Sequence, residues 1–124
     1  MLRTLLVIAL GGGIGSVLRF LSTNLVQKYC PTVFPIATLV INILGCFLIG
    51  IIVGLLERHE LSNSNLKWFL VTGICGGYTT FSAFSYENVA LFQSNNSGLA
   101  FLYIGASVIS GLFAVWLGLF LVRA

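Results

Sequence analysis

The sequence predicts an all-α membrane protein with four transmembrane helices. Of its 124 residues, 58% are hydrophobic and only 7% are charged, whereas a soluble domain carries about a quarter charged residues. Four apolar runs are long enough to cross the hydrocarbon core, which needs about 20 helical residues. They cover residues 5–25, 34–56, 68–92 and 99–122, and they predict a single transmembrane domain over residues 1–124.

The first run follows Arg3, and we expect a retained helix rather than a cleaved signal peptide. Its apolar character resumes after a group of glycines, and three more spans follow. Gly11 and Gly15 are four residues apart, a spacing typical of helices that approach closely in lipid. The glycines are not a dinucleotide-binding fingerprint, because Ser16 occupies the third glycine position and no strand precedes them.

The second run begins with Pro35, which the first turn of a helix tolerates. Thr38 and Asn42 are four residues apart and therefore share a helix face. Polar side chains at membrane depth mark either a transport pathway or a contact between helices. Asn42 suits both roles at this point.

The third run is interrupted by a polar, glycine-rich segment, residues 73–87. It contains three glycines, two threonines, two serines and one carboxylate, a composition that predicts a helix broken near its middle. Irregular backbone at membrane depth survives only where it is buried in protein or lines a watery cavity. Glycine-interrupted spans also hold the ion and substrate sites of transport proteins. This segment is therefore the best candidate for the functional part of the molecule.

Several side chains of this segment are candidates for contact with an ion. Phe81 and Phe84 are three residues apart, as are Ser82 and Ser85, and Glu87 follows. The phenylalanines could be ordinary core packing, and the serines could bond back to their own helix. Alternatively, aromatic rings turned edge-on to a pore attract a small anion through their positive edges.

The fourth run adds a polar stripe formed by Tyr103, Ser107 and Gly111, with Ser110 adjacent. Hydroxyl and amide donors on these helices suit an anion, while carbonyls released by the broken helix suit a hard cation. The sign of the transported ion therefore stays open at the level of single residues.

The distribution of basic residues bears on topology. Four spans place both termini on the same side as the loop between the second and third spans. That side carries four basic residues and the other side two, which is a weak orientation signal. Four helices also leave little interior space, so a conduction path would lie between subunits. We therefore hypothesise an antiparallel homodimer with dual topology. The two sets of basic residues are Arg3, Arg58, Lys67 and Arg123, and Lys28 with Arg19.

Other functions have little support in the sequence. The three cysteines have no metal-ligand spacing, and the only histidine, His59, lies in the most polar loop. No nucleophile and base are arranged as in an enzyme active site, so we expect no enzymatic activity. The basic residues are scattered, which argues against nucleic-acid binding.

Three motifs together resemble the Fluc (CrcB) fluoride channel family over nearly the whole chain. They are Arg19 after Gly-Gly-Gly-Ile-Gly-Ser, Asn42 in Thr-Leu-Val-Ile-Asn-Ile-Leu-Gly, and Gly-Ile-Cys-Gly-Gly-Tyr-Thr-Thr-Phe-Ser-Ala-Phe-Ser at residues 73–85. The last motif is the most specific. The resemblance implies a dual-topology antiparallel homodimer with two fluoride pores along the interface and one structural sodium ion at its centre.

The resemblance also implies roles for individual residues. The backbone carbonyls of Gly76 and Thr79 would hold the sodium ion, and Arg19 would lie at the pore vestibule. Phe81 and Phe84 match the paired phenylalanines of the family. Asn42 matches its pore asparagine, and its polar track corresponds to Thr38, Ser82, Ser85, Glu87, Tyr103 and Ser107. Gly111 stands where many members carry serine, with Ser110 one place earlier.

The expected function is a passive fluoride channel in the plasma (inner) membrane of a bacterium, which lets cytoplasmic fluoride leave and protects the cell. The main alternative is a proton-coupled exporter of the small multidrug resistance type, which also has four spans. Those exporters carry an embedded carboxylate on the first helix, whereas the only acid within these spans is Glu87 on the third. A non-conducting assembly subunit would explain the packing motifs but not the polar stripes.

Overall fold

The computed structural model describes residues 1–124, which form helices joined by short turns. Three helices are long and apolar enough to cross a membrane: α1 (Leu2–Tyr29), α2 (Ile36–Arg58) and α6 (Ser97–Arg123). Between α2 and α6 lies a further helical stretch, residues 65–93, which contains the third predicted span and which we call the third span for that reason. The prediction of an all-helical membrane protein is confirmed. The helices of membrane-spanning length overlap three of the four predicted spans, and the predicted span over residues 68–92 is not among them.

The third span consists of four helical pieces. They are α3 (Asn65–Lys67), a π-helix (Trp68–Cys75), α4 (Gly76–Tyr78) and α5 (Phe81–Gln93). Between α4 and α5, Thr79 has φ −80° and ψ 157°, and Thr80 has φ −149° and ψ 118°. Both residues are therefore extended, and we call this two-residue segment the break.

Glycines allow α1 and the third span to pack backbone against backbone. A Cβ atom added to Gly15 would collide with the carbonyl oxygen of Ile74. A Cβ atom on Gly73 would lie 2.8 Å from the Cα atom of Gly11. The close packing expected from Gly11 and Gly15 is confirmed, and side chains at these positions would push the two helices apart.

The helices α2 and α6 form a second pair that packs in the same way. A Cβ atom added to Gly118 would lie 2.9 Å from the backbone nitrogen of Ile51, and one added to Gly50 would collide with the carbonyl oxygen of Val115. The bundle therefore consists of two glycine-packed helix pairs, and the polar residues lie where the pairs meet.

Both chain termini lie at the same end of the bundle. The Oγ1 atom of Thr4 donates to Oδ1 of Asn65 over 3.5 Å, which places the start of α1 beside the start of the third span. At the same end, Arg123 and Glu57 form an ion pair of 2.8 Å. Both side chains are about half exposed, so this pair contributes little to stability.

A candidate ion pathway at the break

Asn42 of α2 binds the backbone of the break through both ends of its amide. Its Nδ2 atom donates to the carbonyl oxygen of Thr80 over 3.1 Å, and the Thr80 N–H donates to its Oδ1 atom over 2.9 Å. Asn42 therefore satisfies backbone groups that the interrupted helix leaves without helical partners. It forms a contact between helices, which is one of the two roles that the sequence allowed for it. Contact with an ion stays a prediction for this residue.

The break diverts two backbone N–H groups away from the carbonyls that a continuous helix would give them. The Thr80 N–H would reach the carbonyl of Gly76, but it donates to Asn42. The Ala83 N–H would reach the carbonyl of Thr79, but it donates to Oγ1 of Thr80 over 3.2 Å. The carbonyls of Gly76 and Thr79 are thereby freed from these helical bonds.

Thr80 is the N-cap of α5, and site prediction from the sequence missed it. Its hydroxyl accepts from Ala83, an N-cap contact that is typically worth about 1 kcal/mol. A signal was present, because a threonine immediately before a helical run is a standard helix start.

A cavity of about 380 Å³, which we call the central cavity, opens beside the break. The Oγ atom of Ser107 is buried without a hydrogen-bond partner, so this hydroxyl has an unused donor. Gly111 contributes only backbone to the wall, and the adjacent Ser110 lies in a separate apolar groove. Ser110 therefore does not supply the hydroxyl that is absent at position 111. The predicted site residues that line the central cavity are Asn42, Gly76, Thr79, Phe81, Phe84 and Ser107.

The two predicted phenylalanines lie in different surroundings. Phe81 is 78% exposed within the single chain, so it is not part of this chain's core. Phe84 is half-buried, and its ring meets that of Tyr103 edge-on, with centroids 4.9 Å apart. The rings of Phe81 and Phe84 are 5.7 Å apart and tilted by 39°. Core packing accounts for Phe84 in part and leaves Phe81 unexplained.

A second cavity of about 640 Å³, which we call the side cavity, lies on the other side of the break. Thr80 lines both cavities, so they adjoin at the break. Ser85 is half-buried and lines neither of them. The predicted site residues that line the side cavity are Arg19, Thr38, Ser82 and Glu87.

Glu87 connects three elements of the bundle. Its carboxylate accepts a hydrogen bond of 2.9 Å from Thr38 on α2 and one of 3.0 Å from Tyr103 on α6. Tyr103 is completely buried, and its hydroxyl reaches Glu87 from behind the cavity wall. An ionised carboxylate only accepts hydrogen bonds, and bonds to it are stronger than those between neutral groups. The network therefore holds these three predicted residues together.

The fold and the site define a multi-pass helical membrane protein whose polar side chains converge between α4 and α5. The family described as CrcB-like protein, Camphor Resistance (CrcB), matches residues 6–119. The chain belongs to the CrcB family, and the resemblance found in its motifs is confirmed.

Relatives of this chain are similar over almost their whole length. A protein of Flavobacterium psychrophilum is 56% identical over 98% of both chains. One of Azobacteroides pseudotrichonymphae is 47% identical over 95% of this chain and 94% of its own. One of Campylobacter jejuni is 48% identical over 95% of this chain and 96% of its own. Each of these relatives is named "Fluoride-specific ion channel FluC".

Proposed function

We propose that this chain is a subunit of a fluoride channel that lets fluoride leave a bacterial cell across its plasma (inner) membrane. The observation that carries the proposal is the 56% identity over 98% of both chains with a relative named as a fluoride-specific ion channel. The relatives' names also favour an ion channel over an enzyme. An inside-negative potential contributes about 2.3 kcal/mol per 100 mV for each anion that leaves, so export requires no other energy source.

The geometry supports a path for a small, strongly hydrated anion. Fluoride must exchange its water shell for donors and positive ring edges inside a narrow passage. The central cavity offers the rings of Phe81 and Phe84, and Ser107 lies in its wall with a buried hydroxyl that has no hydrogen-bond partner. The side cavity offers Arg19, which would attract an anion at the entrance. We assign the remaining polar track to Asn42, Thr38, Ser82, Ser85, Glu87 and Tyr103.

The working unit in this proposal is an antiparallel homodimer with dual topology. Its support is the exposure of polar backbone and aromatic surface at the break, where Gly76 is exposed and Phe81 is 78% exposed. Freed carbonyls facing lipid would each cost several kcal/mol, whereas a second copy of the chain would cover them. Cross-linking in native membranes is expected to trap antiparallel pairs, and exclusively parallel pairs would refute this arrangement.

A structural sodium ion at the dimer centre fits the residues present. The carbonyls of Gly76 and Thr79 are the ones that the break releases from helical bonds. They would converge with the same groups of the second copy, and neutral oxygen ligands suit a hard monovalent cation. The region around Gly76 is open, since an added Cβ atom would meet only the Val71 carbonyl at 3.7 Å.

Fluoride efflux from proteoliposomes tests the proposed function. The purified protein is expected to release fluoride rapidly when a potential is applied, and to leave chloride inside under identical conditions. Comparable chloride release would contradict a fluoride-specific pathway. Transport that requires a proton gradient would instead favour the multidrug-type exporter, which the names of the relatives do not support.

A further inference from the structure

The piece of helix before the break is held by its backbone, which packs at Gly77 against Gly12 of α1, and by a single side chain. This piece, α4, consists of Gly76, Gly77 and Tyr78. A three-residue helix with two glycines has little intrinsic rigidity, because glycine loses more conformational freedom on ordering than any other residue. Whatever fixes Tyr78 therefore also fixes the direction of the Gly76 carbonyl.

Tyr78 is fixed by contacts with two helices. Its hydroxyl lies 2.9 Å from Oγ of Ser22 on α1, a hydrogen bond between residues 56 positions apart. Gly15, seven residues before Ser22, brings α1 so close that an added Cβ atom would lie 2.9 Å from the Tyr78 nitrogen. On the opposite side, a Cβ atom added to Gly45 of α2 would lie 3.5 Å from the Tyr78 ring. Tyr78 is buried between these helices.

The two ends of the break are thus held by different helices. Ser22 of α1 binds Tyr78, the last residue before the break, and Asn42 of α2 binds Thr80, its second residue. Thr79 lies between these two anchors, and its hydroxyl donates back to the Cys75 carbonyl over 2.9 Å. The positions of the Gly76 and Thr79 carbonyls depend on both anchors.

We propose that the Ser22–Tyr78 hydrogen bond is a positioning contact that orients the Gly76 carbonyl for the cation. This inference rests on the sodium site proposed above and adds two residues to it, neither of which touches the ion. Without the bond, α4 keeps its backbone contact with α1 at Gly77 but loses its side-chain anchor, and the Gly76 carbonyl samples directions that do not face the cation. The contact therefore raises the affinity for sodium without altering the anion path directly.

The test compares Tyr78→Phe, which removes only the hydroxyl, with Ser22→Ala, which removes its partner. Thermal unfolding of the purified dimer is followed while sodium chloride replaces choline chloride at constant ionic strength, because a ligand that binds only the folded state raises the midpoint. Fitting the rise of the midpoint against sodium concentration gives an apparent dissociation constant for sodium. Loss of one hydrogen bond should raise this dissociation constant by about three- to tenfold in each variant.

Three further measurements separate positioning from general destabilisation. The double variant should match either single variant, since both remove the same bond. Tyr29→Phe, at an exposed tyrosine at the end of α1, should leave the sodium dissociation constant unchanged. Fluoride efflux from Tyr78→Phe should recover as sodium is raised, which a distorted pore would not do.

The outcomes distinguish this inference from the proposed function. Sodium dissociation constants equal to the parent's in Tyr78→Phe and Ser22→Ala would overturn the positioning role while leaving the sodium site in place. A parent protein whose unfolding does not respond to sodium would overturn the site, and the positioning role with it. If Tyr78→Phe fails to assemble, the sodium response of the less disruptive variant Ser22→Ala tests the positioning role by itself.

Discussion

Glycines serve opposite purposes in two regions of this molecule. Along the seam between α1 and the third span, Gly15 and Gly73 have no space for a side chain, and backbones touch there. At the break, Gly76 has only one atom within 4 Å of an added Cβ, at 3.7 Å. The seam requires glycine for close approach, whereas the break has room for a side chain within the single chain.

The difference shows that a glycine-rich span cannot be interpreted from composition alone. At the seam the missing side chain strengthens packing between helices. At the break the interrupted hydrogen bonding releases the carbonyls of Gly76 and Thr79 and supplies partners for Asn42. Stability should therefore depend most on the seam, and ion transport should depend most on the break.

The largest expected effect is at the seam. In Gly15→Ala the added methyl group collides with the Ile74 carbonyl, and backbone cannot move aside as a side chain can. We expect destabilisation of about 3 kcal/mol, the upper end for overpacking, and loss of most folded protein in size-exclusion chromatography. Gly12→Ala is the control, because nothing lies within 4 Å of its added Cβ. Equal stability of the two variants would contradict the packing argument.

Asn42→Asp should give the largest loss of transport without loss of fold. The new carboxylate faces the Thr80 carbonyl and the central cavity, so it repels both that oxygen and a passing anion. Fluoride efflux should fall by about 100-fold, which corresponds to about 2.7 kcal/mol in the barrier. The variant should still elute like the parent protein in size-exclusion chromatography. Asn63→Asp adds the same charge to the exposed loop and should conduct at the parent rate.

Gly76→Val tests whether a second copy covers the break. The single chain has room for the side chain, so helix content should be retained. If the second copy approaches here, overpacking should weaken dimerisation by at least about tenfold, measured by dilution-dependent cross-linking. Gly13→Val, at an exposed site on α1 with no atom within 4 Å, should dimerise like the parent. An unaffected dimer in Gly76→Val would place the interface elsewhere.

Phe81→Ile and Phe84→Ile separate ring-edge contact from packing. Swaps of similar volume cost less than about 1.5 kcal/mol when a residue only packs. If the ring edges contact the anion, each variant should lose about tenfold in fluoride efflux while the protein stays folded, because aliphatic carbon lacks the positive edge. Phe101→Ile, an exposed phenylalanine on α6, serves as the matched control. Fluoride efflux at the parent rate in both variants would indicate that Phe81 and Phe84 only pack and do not contact the anion.

Glu87→Gln should have the smallest effect. The glutamine Oε1 atom can still accept from Thr38 or Tyr103, so part of the network survives. Voltage-driven fluoride efflux should stay within about threefold of the parent, consistent with one weakened hydrogen bond. Complete loss, together with transport driven by a pH gradient in the parent, would shift the assignment to a proton-coupled exporter.

The sequence predicted the helices better than the contacts of the site. Thr38, Glu87 and Tyr103 were predicted as members of one polar track, and the structure joins them by two hydrogen bonds. Ser85 was predicted for the same track, but it lines neither cavity. Helical spacing identifies residues that share one face of one helix, but it does not fix how that face is rotated against a neighbour.

By itself, the sequence determined that this chain is a helical membrane protein of the CrcB family. Apolar run length and motif order are local properties, and no tertiary contact is needed to recognise them. Only the tertiary structure decided that Asn42 binds the Thr80 backbone and that Ser22 meets Tyr78 across 56 residues. Such contacts depend on the rotation and depth of each helix in the bundle. Those are set by where backbones can approach closely, as at Gly15 and Gly73.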